Sequence, residues 1–148
     1  MLTIEEIVRN WSCNPLQFAE EALLIKSRSR LGGPTNQQKE GLIELGKLIT
    51  AKLKQRDKLT LNNEDLKYVN KIGLSIMSGQ GVGKGSFLSW IMIWFLCCFP
   101  YSRILCTAPT GHQLKDNLWS EIYKWLKGSL VEDLFVVQSD KIFLKQAE

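Results

Sequence analysis

The stretch that decides the fold lies near the middle of the chain and has the sequence Ile72-Gly73-Leu74-Ser75-Ile76-Met77-Ser78-Gly79-Gln80-Gly81-Val82-Gly83-Lys84-Gly85-Ser86. Its first part, residues 72–77, is a short apolar run of the kind that forms a buried strand. After the glycines, residues 87–99 are apolar apart from Ser89, which predicts a buried helix. The stretch therefore predicts a strand, a glycine-rich loop and a helix in direct succession.

The glycine-rich loop, residues 78–86, has the composition of a phosphate-binding loop. Glycines let backbone N–H groups turn toward phosphate oxygens, the positive end of the next helix points at the same anion, and Lys84 can reach the terminal phosphates. The dinucleotide-binding pattern GxGxxG fails, because Lys84 and Ser86 stand where its last glycine belongs. The glycine loop of protein kinases fails for the same reason. A strand-to-helix turn that binds nothing is the structural alternative.

The P-loop pattern GxxxxGK[ST] matches at Gly83 and Lys84 and departs at two positions. Ser78 replaces the first glycine, and Gly85 replaces the residue whose hydroxyl binds Mg²⁺. The second departure removes a metal ligand, since the hydroxyl of Ser86 would project about 100° further round the helix. The loop therefore predicts phosphate binding with an incomplete magnesium site.

The chain after the loop continues to alternate between strands and helices. Residues 103–109 predict a second buried strand, and Thr110 with Gln113 predicts the capping box of an amphipathic helix. Residues 134–137 and 141–144 predict two strands joined by a short turn. The order of elements is typical of an α/β fold with a parallel sheet between two layers of helices.

The first part of the chain, residues 1–70, predicts a helical N-terminal segment. Helices are expected over 3–11, from the N-cap Asn14 with Pro15 after it, over 35–54 with Thr35 and Gln38 as a capping box, and from Asn62 to before Lys71. Residues 26–58 hold nine basic and three acidic side chains, which indicates either a solvated helix face or a surface that faces DNA.

Composition limits the class of protein further. The chain has 148 residues, of which 45% are hydrophobic and 23% charged, so one globular unit is expected and wholesale disorder is excluded. A net charge of +4 permits nucleic acid as a partner without requiring it. The four cysteines lack metal-site spacing, and the one histidine, His112, is expected at the surface.

Residues 87–99 span about 20 Å as a helix, which is too short to cross a bilayer core of about 30 Å. With no secretory signal, a reduced, cytosolic protein is expected.

With these residues in place, the stretch 71–125 resembles the large subunit of phage DNA-packaging terminases, of the kind found in prophages. The resemblance depends on the loop 78–84, on the tryptophan-rich helix 90–94 and above all on the block 106–119. Upstream, residues 14–18 look like the first helix of that family, and Gln37-Gln38 falls where the family often has an adenine-contacting pair.

This resemblance implies a P-loop NTPase-like parallel sheet whose ATPase activity drives double-stranded phage DNA into a preformed head. It implies ATP and Mg²⁺ as cofactors, the small terminase subunit and the portal as partners, the host bacterial cytoplasm as location, and an oligomer only at full length. The implied nucleotide-binding residues are Ser78, Gly79, Gln80, Gly81, Val82, Gly83, Lys84, Gly85, Ser86 and Gln38.

The resemblance also assigns roles to single residues. Lys84 would hold the β- and γ-phosphates as the catalytic residue, and Gln38 would contact adenine. Gln80 lies where several terminases have an arginine that stabilises the transition state, which is a departure from the family pattern. Residues 107–110 resemble the helicase-style element at the end of the second strand.

Two parts of the family pattern are missing. No apolar strand ends in Asp and a catalytic Glu, the Walker B element, since residues 130–133 are too short, and no nuclease domain follows. Residues 71–148 are therefore expected to be the first half of an ATPase core, in a truncated product or a fragment that binds ATP weakly and hydrolyses almost none. The alternatives are a non-catalytic remnant or binding module, and an unrelated P-loop protein such as a helicase-like or membrane-associated ATPase.

Overall fold

The computed structural model describes residues 3–139 and 141–145. Seven α-helices and two strands follow one another in the described chain: α1 (Ile4–Cys13), α2 (Pro15–Glu21), α3 (Ile25–Arg28), α4 (Asn36–Arg56), α5 (Asn63–Tyr68), α6 (Lys84–Cys98), α7 (Ser120–Leu126), β1 (Phe135–Val137) and β2 (Ile142–Leu144). A π-helical segment, Gln113–Trp119, leads directly into α7, and a 3-10 turn, Glu132–Leu134, leads into β1.

Side-chain caps start the N-terminal helices where the sequence predicts them. Thr3 caps α1, and Asn14 caps α2 with Pro15 at its first position. Thr35 and Gln38 form the predicted capping box of α4. Each cap satisfies backbone N–H groups that have no partner inside their own helix. The predicted starts of these three helices are confirmed.

Helix α6 is the centre of the hydrophobic core. Trp90, Ile93 and Trp94 are almost completely buried, and α1, α2 and α7 all contact this helix. The indole N–H of Trp94 donates a hydrogen bond of 2.7 Å to the carbonyl of Trp11 in α1. The same core contains Phe18, Ala19, Leu23, Leu42, Ile122 and Trp125. Residues on both sides of position 70 therefore contribute to one core.

The described residues form a mostly helical α/β fold whose sheet has two strands. β1 and β2 pair antiparallel, with Val136 opposite Phe143, so the predicted hairpin is confirmed; Asp140 of its predicted turn lies outside the described residues. The two strands predicted over 72–77 and 103–109 are not formed, and no strand pairs with either segment in the described chain. A strand needs hydrogen bonds from a neighbour, and here these apolar segments have none.

The helix predicted from Thr110 forms in a modified way. Gln113 N–H donates to the Thr110 hydroxyl at 3.2 Å, which is one of the two hydrogen bonds of the predicted capping box, and the next seven residues are π-helical before α7 begins. Ile122 and Trp125 of α7 are buried against α6. A π-helical segment inserts extra backbone into a helix and is frequent at functional sites.

The apolar helix α6 is 15 residues long. Within the ranges 3–139 and 141–145, none of the helices combines the length and apolar character needed to cross a membrane. Burial of Trp90 and Trp94 inside the protein agrees with the prediction that this helix belongs to the core.

Candidate functional site

The glycine-rich loop keeps the open shape that a phosphate cradle needs. Gly81 and Gly83 have φ angles of 75° and 82°, in the left-handed region that favours glycine. A Cβ at Gly79 or at Gly81 would meet no atom within 4 Å, so the backbone borders open space. Helix α6 begins immediately afterwards, and the N–H groups of its first turn have no partner inside the helix. The loop and this first turn together present backbone donors to one region.

The Lys84 side chain connects the two ends of the loop. Its ammonium group donates a hydrogen bond of 2.9 Å to the carbonyl of Ser78, at the opposite end of the loop. The Ser78 hydroxyl is buried and has no hydrogen-bond partner among the described residues. A buried polar group without a partner is costly, so the hydroxyl is a donor available to a ligand. A positive charge and a free hydroxyl therefore lie together at the loop.

The Gln38 side chain connects the start of α4 to the loop through hydrogen bonds. Its side-chain oxygen accepts from the N–H of Thr35 at 2.9 Å, and its side-chain nitrogen donates to the carbonyl of Gly83 at 2.9 Å. A Cβ at Gly83 would lie 2.5 Å from that nitrogen, so only glycine permits this approach. The predicted adenine contact thus lies beside the loop, but both polar atoms of its amide are bonded to protein.

An apolar cavity of about 300 Å³ lies on the Gln38 side of the loop. Its walls include Leu74, Ile76, Val82 and Phe87. Apolar walls with a few polar groups are typical of sites for flat organic groups. This cavity is the place next to the loop where a base could bind.

A second cavity, of about 430 Å³, also borders the loop. It is lined by loop residues and by Ser86, Asn117 and Glu121. The Ser86 hydroxyl donates to a Glu121 carboxylate oxygen at 2.7 Å, and the Trp125 indole N–H donates to the same oxygen at 3.1 Å. The sequence did not indicate Glu121, because helical periodicity shows which residues share a face but not which helix end they will lie against.

Glu121 is charged in this arrangement. Partial burial raises the pKa of its carboxyl, but the hydrogen bonds from Ser86, Lys124 and Trp125 and the charge of Lys124 outweigh burial and lower the pKa below the usual value. The ammonium of Lys124 lies 3.2 Å from the carboxylate, on the outer side of α7. The cavity beside the loop is therefore bordered by an ionised carboxylate.

The other residues singled out from the sequence lie at the surface. Gln80 is exposed and lines the Glu121 side of the loop, and residues 107–110 are exposed. His112 is exposed, as expected, and lies 3.0 Å from Asp116 one turn away.

Several basic side chains of residues 26–58 have partners in the protein. Lys26 pairs with Glu20, and Lys54 with Asp65. These contacts favour a structural role for part of the basic segment.

Carboxylates and ligating side chains are sparse around the loop. Among the residues that the structure describes, no group of three or more His, Cys, Asp or Glu side chains could hold a metal ion.

Comparison with protein-family models, with curated proteins and with solved structures finds no match for this chain. The resemblance to terminases thus stays a prediction based on residues 71–125.

Proposed function

We propose that residues 78–86 bind the phosphates of ATP and that the chain is the ATP-binding part of a DNA-packaging terminase large subunit. The observation that carries the proposal is the open loop, with left-handed Gly81 and Gly83, at the N-terminus of the 15-residue helix α6. Such a loop aims several N–H donors and a helix dipole at one anion. The family assignment itself depends on the sequence resemblance.

ATP binding would use polar groups of the loop that are either hydrogen-bonded to each other or lack a hydrogen-bond partner. The Lys84 ammonium would leave the neutral Ser78 carbonyl for an anionic phosphate oxygen, so that both partners of the hydrogen bond would be charged. The buried Ser78 hydroxyl would gain a partner. The adenine would lie in the apolar cavity beside Phe87, next to the unused N–H of the Gln38 amide.

A parallel P-loop sheet is part of the same proposal. Residues 72–77 and 103–109 are its proposed strands, to be ordered when other strands lie beside them. The apolar side chains of Ile72, Met77 and Leu105 are almost fully exposed, as in strands that lack a covering layer. This exposure supports the proposal that the segments have a buried position in the assembled motor.

We propose double-stranded DNA, the small terminase subunit and the portal as partners, again from the resemblance. For the isolated chain, we propose nucleotide binding with almost no hydrolysis. Gly85 has no hydroxyl at the position where P-loop enzymes hold their metal ion, which also favours the second candidate, a non-catalytic binding module. Phosphate release from ATP tests both candidates, because both predict almost no hydrolysis by this chain, and robust Lys84-dependent turnover would overturn them.

Calorimetric titration with ATP and Mg²⁺ tests the binding proposal. We expect Lys84→Ala to weaken ATP binding about tenfold or more, because a charge-assisted hydrogen bond is lost. Lys67→Ala is the matched control, since it removes the same charge from an exposed position on α5. Equal ATP affinity in the wild type and in Lys84→Ala would overturn the proposal.

A further inference from the structure

The side-chain amide of Gln38 joins the N-termini of two helices. Its oxygen accepts from the backbone N–H of Thr35, the N-cap of α4, at 2.9 Å. Its nitrogen donates at 2.9 Å to the carbonyl of Gly83, the N-cap of α6. An amide turned the other way would set a donor against the Thr35 N–H and an acceptor against the Gly83 carbonyl, so these two partners fix its orientation.

The Gly83 carbonyl is also the first acceptor of α6. It accepts from the N–H of Phe87 at 3.0 Å, as the N-cap carbonyl of a helix does. Its second lone pair is used by the Gln38 amide. No side-chain cap holds Gly83, whose φ is 82°. Gln38 therefore acts on the residue at which the glycine-rich loop ends and the helix begins.

A second contact holds α4 against the same end of α6. A Cβ at Gly41 would lie 2.8 Å from Cζ of Phe87, closer than real Cβ atoms approach, so α4 packs directly against the Phe87 ring. Cδ1 of Ile76, before the loop, would lie 3.7 Å from the same Cβ. Gln38 and Gly41 are three positions apart and share one face of α4. This face therefore contacts the chain both before and after the loop.

A loop that is held in its binding shape in advance binds its ligand at a lower entropic cost. This cost is high for residues 78–86, because glycine loses more conformational freedom on ordering than any other residue, and four of these nine residues are glycines. A bond to the Gly83 carbonyl lowers the cost of ordering the loop around phosphate. Its effect does not depend on which base the phosphates carry.

We propose that Gln38 is a positioning residue that holds the glycine-rich loop in its phosphate-binding shape, a role different from the adenine contact that the terminase resemblance implies. This inference rests on the proposed ATP binding at residues 78–86. Gln38 then contributes equally to the binding of every ligand that carries the triphosphate. An adenine contact would instead contribute to the binding of ATP alone.

Calorimetric titration of the full chain with ATP and with inorganic triphosphate tests this role. Gln38→Ala should weaken the binding of both ligands about fivefold, the net contribution of about one hydrogen bond, and the two losses should agree within about twofold. Gln55→Ala removes the same amide from an exposed position on α4 and should bind as the wild type does. A loss confined to ATP, or no loss for either ligand, overturns the proposal.

A second variant separates the loop from the cap of α4, because Gln38→Ala removes both hydrogen bonds of the amide. Gln38→Glu keeps an oxygen that can accept from the Thr35 N–H, but it cannot donate to the Gly83 carbonyl. NMR relaxation dispersion on the chain without ligand should show exchange at the Gly81 and Gly83 amides in this variant and little in the wild type. The thermal midpoint should stay close to that of the wild type. Equal dispersion at both glycines in the two proteins contradicts a positioning role.

Failure of this inference and failure of the proposed function give different results. If the wild type binds ATP and Lys84→Ala does not, the proposed function stands whatever Gln38 does. If the wild type binds neither ATP nor inorganic triphosphate, the proposed function falls, and the role of Gln38 in phosphate binding falls with it.

Discussion

Two apolar segments separated by the glycine loop have opposite surroundings. Helix α6 holds Trp90 and Trp94, which are 2% and 1% exposed, whereas Ile72 and Met77 just before the loop are 103% and 98% exposed. A helix satisfies its own backbone hydrogen bonds and needs only side-chain contacts, which α1, α2 and α7 supply. A strand needs both a hydrogen-bonded neighbour and a covering layer. Similar hydrophobicity therefore produces a core element in one case and an exposed segment in the other.

Substitution of a buried tryptophan tests that difference most strongly. Trp94→Ala should lower the free energy of unfolding by about 3–5 kcal/mol, because it leaves a large cavity and removes the hydrogen bond to the Trp11 carbonyl. Ile72→Ala should change that free energy by less than about 0.5 kcal/mol. Urea unfolding followed by circular dichroism measures both. Comparable losses in the two variants would mean that residues 72–77 are packed in solution.

Hydrogen exchange sharpens the same comparison at the level of the backbone. Amides in the middle of α6 should exchange about a thousandfold more slowly than those of residues 72–77, which form no backbone hydrogen bond with other described residues. Exchange measured by mass spectrometry on peptides from the two regions would show this. Strong protection of residues 72–77 would indicate that a strand partner is present, for example in a second copy of the chain.

Arg28, in α3, tests how the end of α7 is held in the fold. Its guanidinium donates to the carbonyls of Leu23, Trp125, Lys124 and Lys127, and so satisfies the end of α7. Arg28→Ala should lower the free energy of unfolding by about 2 kcal/mol, since several carbonyls lose a charged donor. Arg28→Lys should recover little of that loss, because an ammonium cannot match the fork of the guanidinium. Full recovery of the free energy of unfolding in Arg28→Lys would mean that only the positive charge of this side chain matters, and not the shape of the guanidinium.

The smallest expected effect is a pH dependence far from α6, at the start of α5. The Lys54 ammonium, 2.7 Å away, and the Asn62 N–H lower the pKa of the Asp65 carboxyl below its ordinary value of 3.8. A carboxyl whose pKa is lower in the folded state stabilises the protein above the unfolded pKa, and this stability is lost as pH falls through the folded pKa.

Asp65→Asn should therefore flatten the decline in thermal midpoint below about pH 4, the usual titration range of an aspartate. Asp133→Asn, at an exposed position, is the control. An unchanged pH profile in Asp65→Asn would show that the ion pair with Lys54 contributes nothing to stability.

The sequence predicts the parts of this fold that depend on local interactions. The capping box of Thr35 and Gln38 and the buried helix α6 follow from neighbouring residues and from a continuous apolar run. The strand character of residues 72–77 does not follow in the same way, because pairing is a property of two segments. Apolar composition indicated burial there, and the described chain provides no neighbour to produce it.

The same distinction between local and long-range interactions applies to the candidate site. The left-handed glycines and Lys84 are local features, and the sequence locates them. The bond between Gln38 and Gly83 and the approach of Glu121 to Ser86 join residues 45 and 35 positions apart in the chain. Such contacts depend on how α4 and α7 pack, which a single sequence does not determine.

The joint core has a consequence for synthesis on the ribosome. Phe18, Leu23 and Leu42 leave the exit tunnel well before Trp90 and Trp94, the side chains that cover them in the finished protein. Short helices without tertiary contacts are marginal in water, so α1 and α2 stay largely unfolded while translation continues toward α6. The apolar side chains in the amino-terminal part of this nascent chain thus lack most of their core partners until the glycine loop and the helix after it have been made.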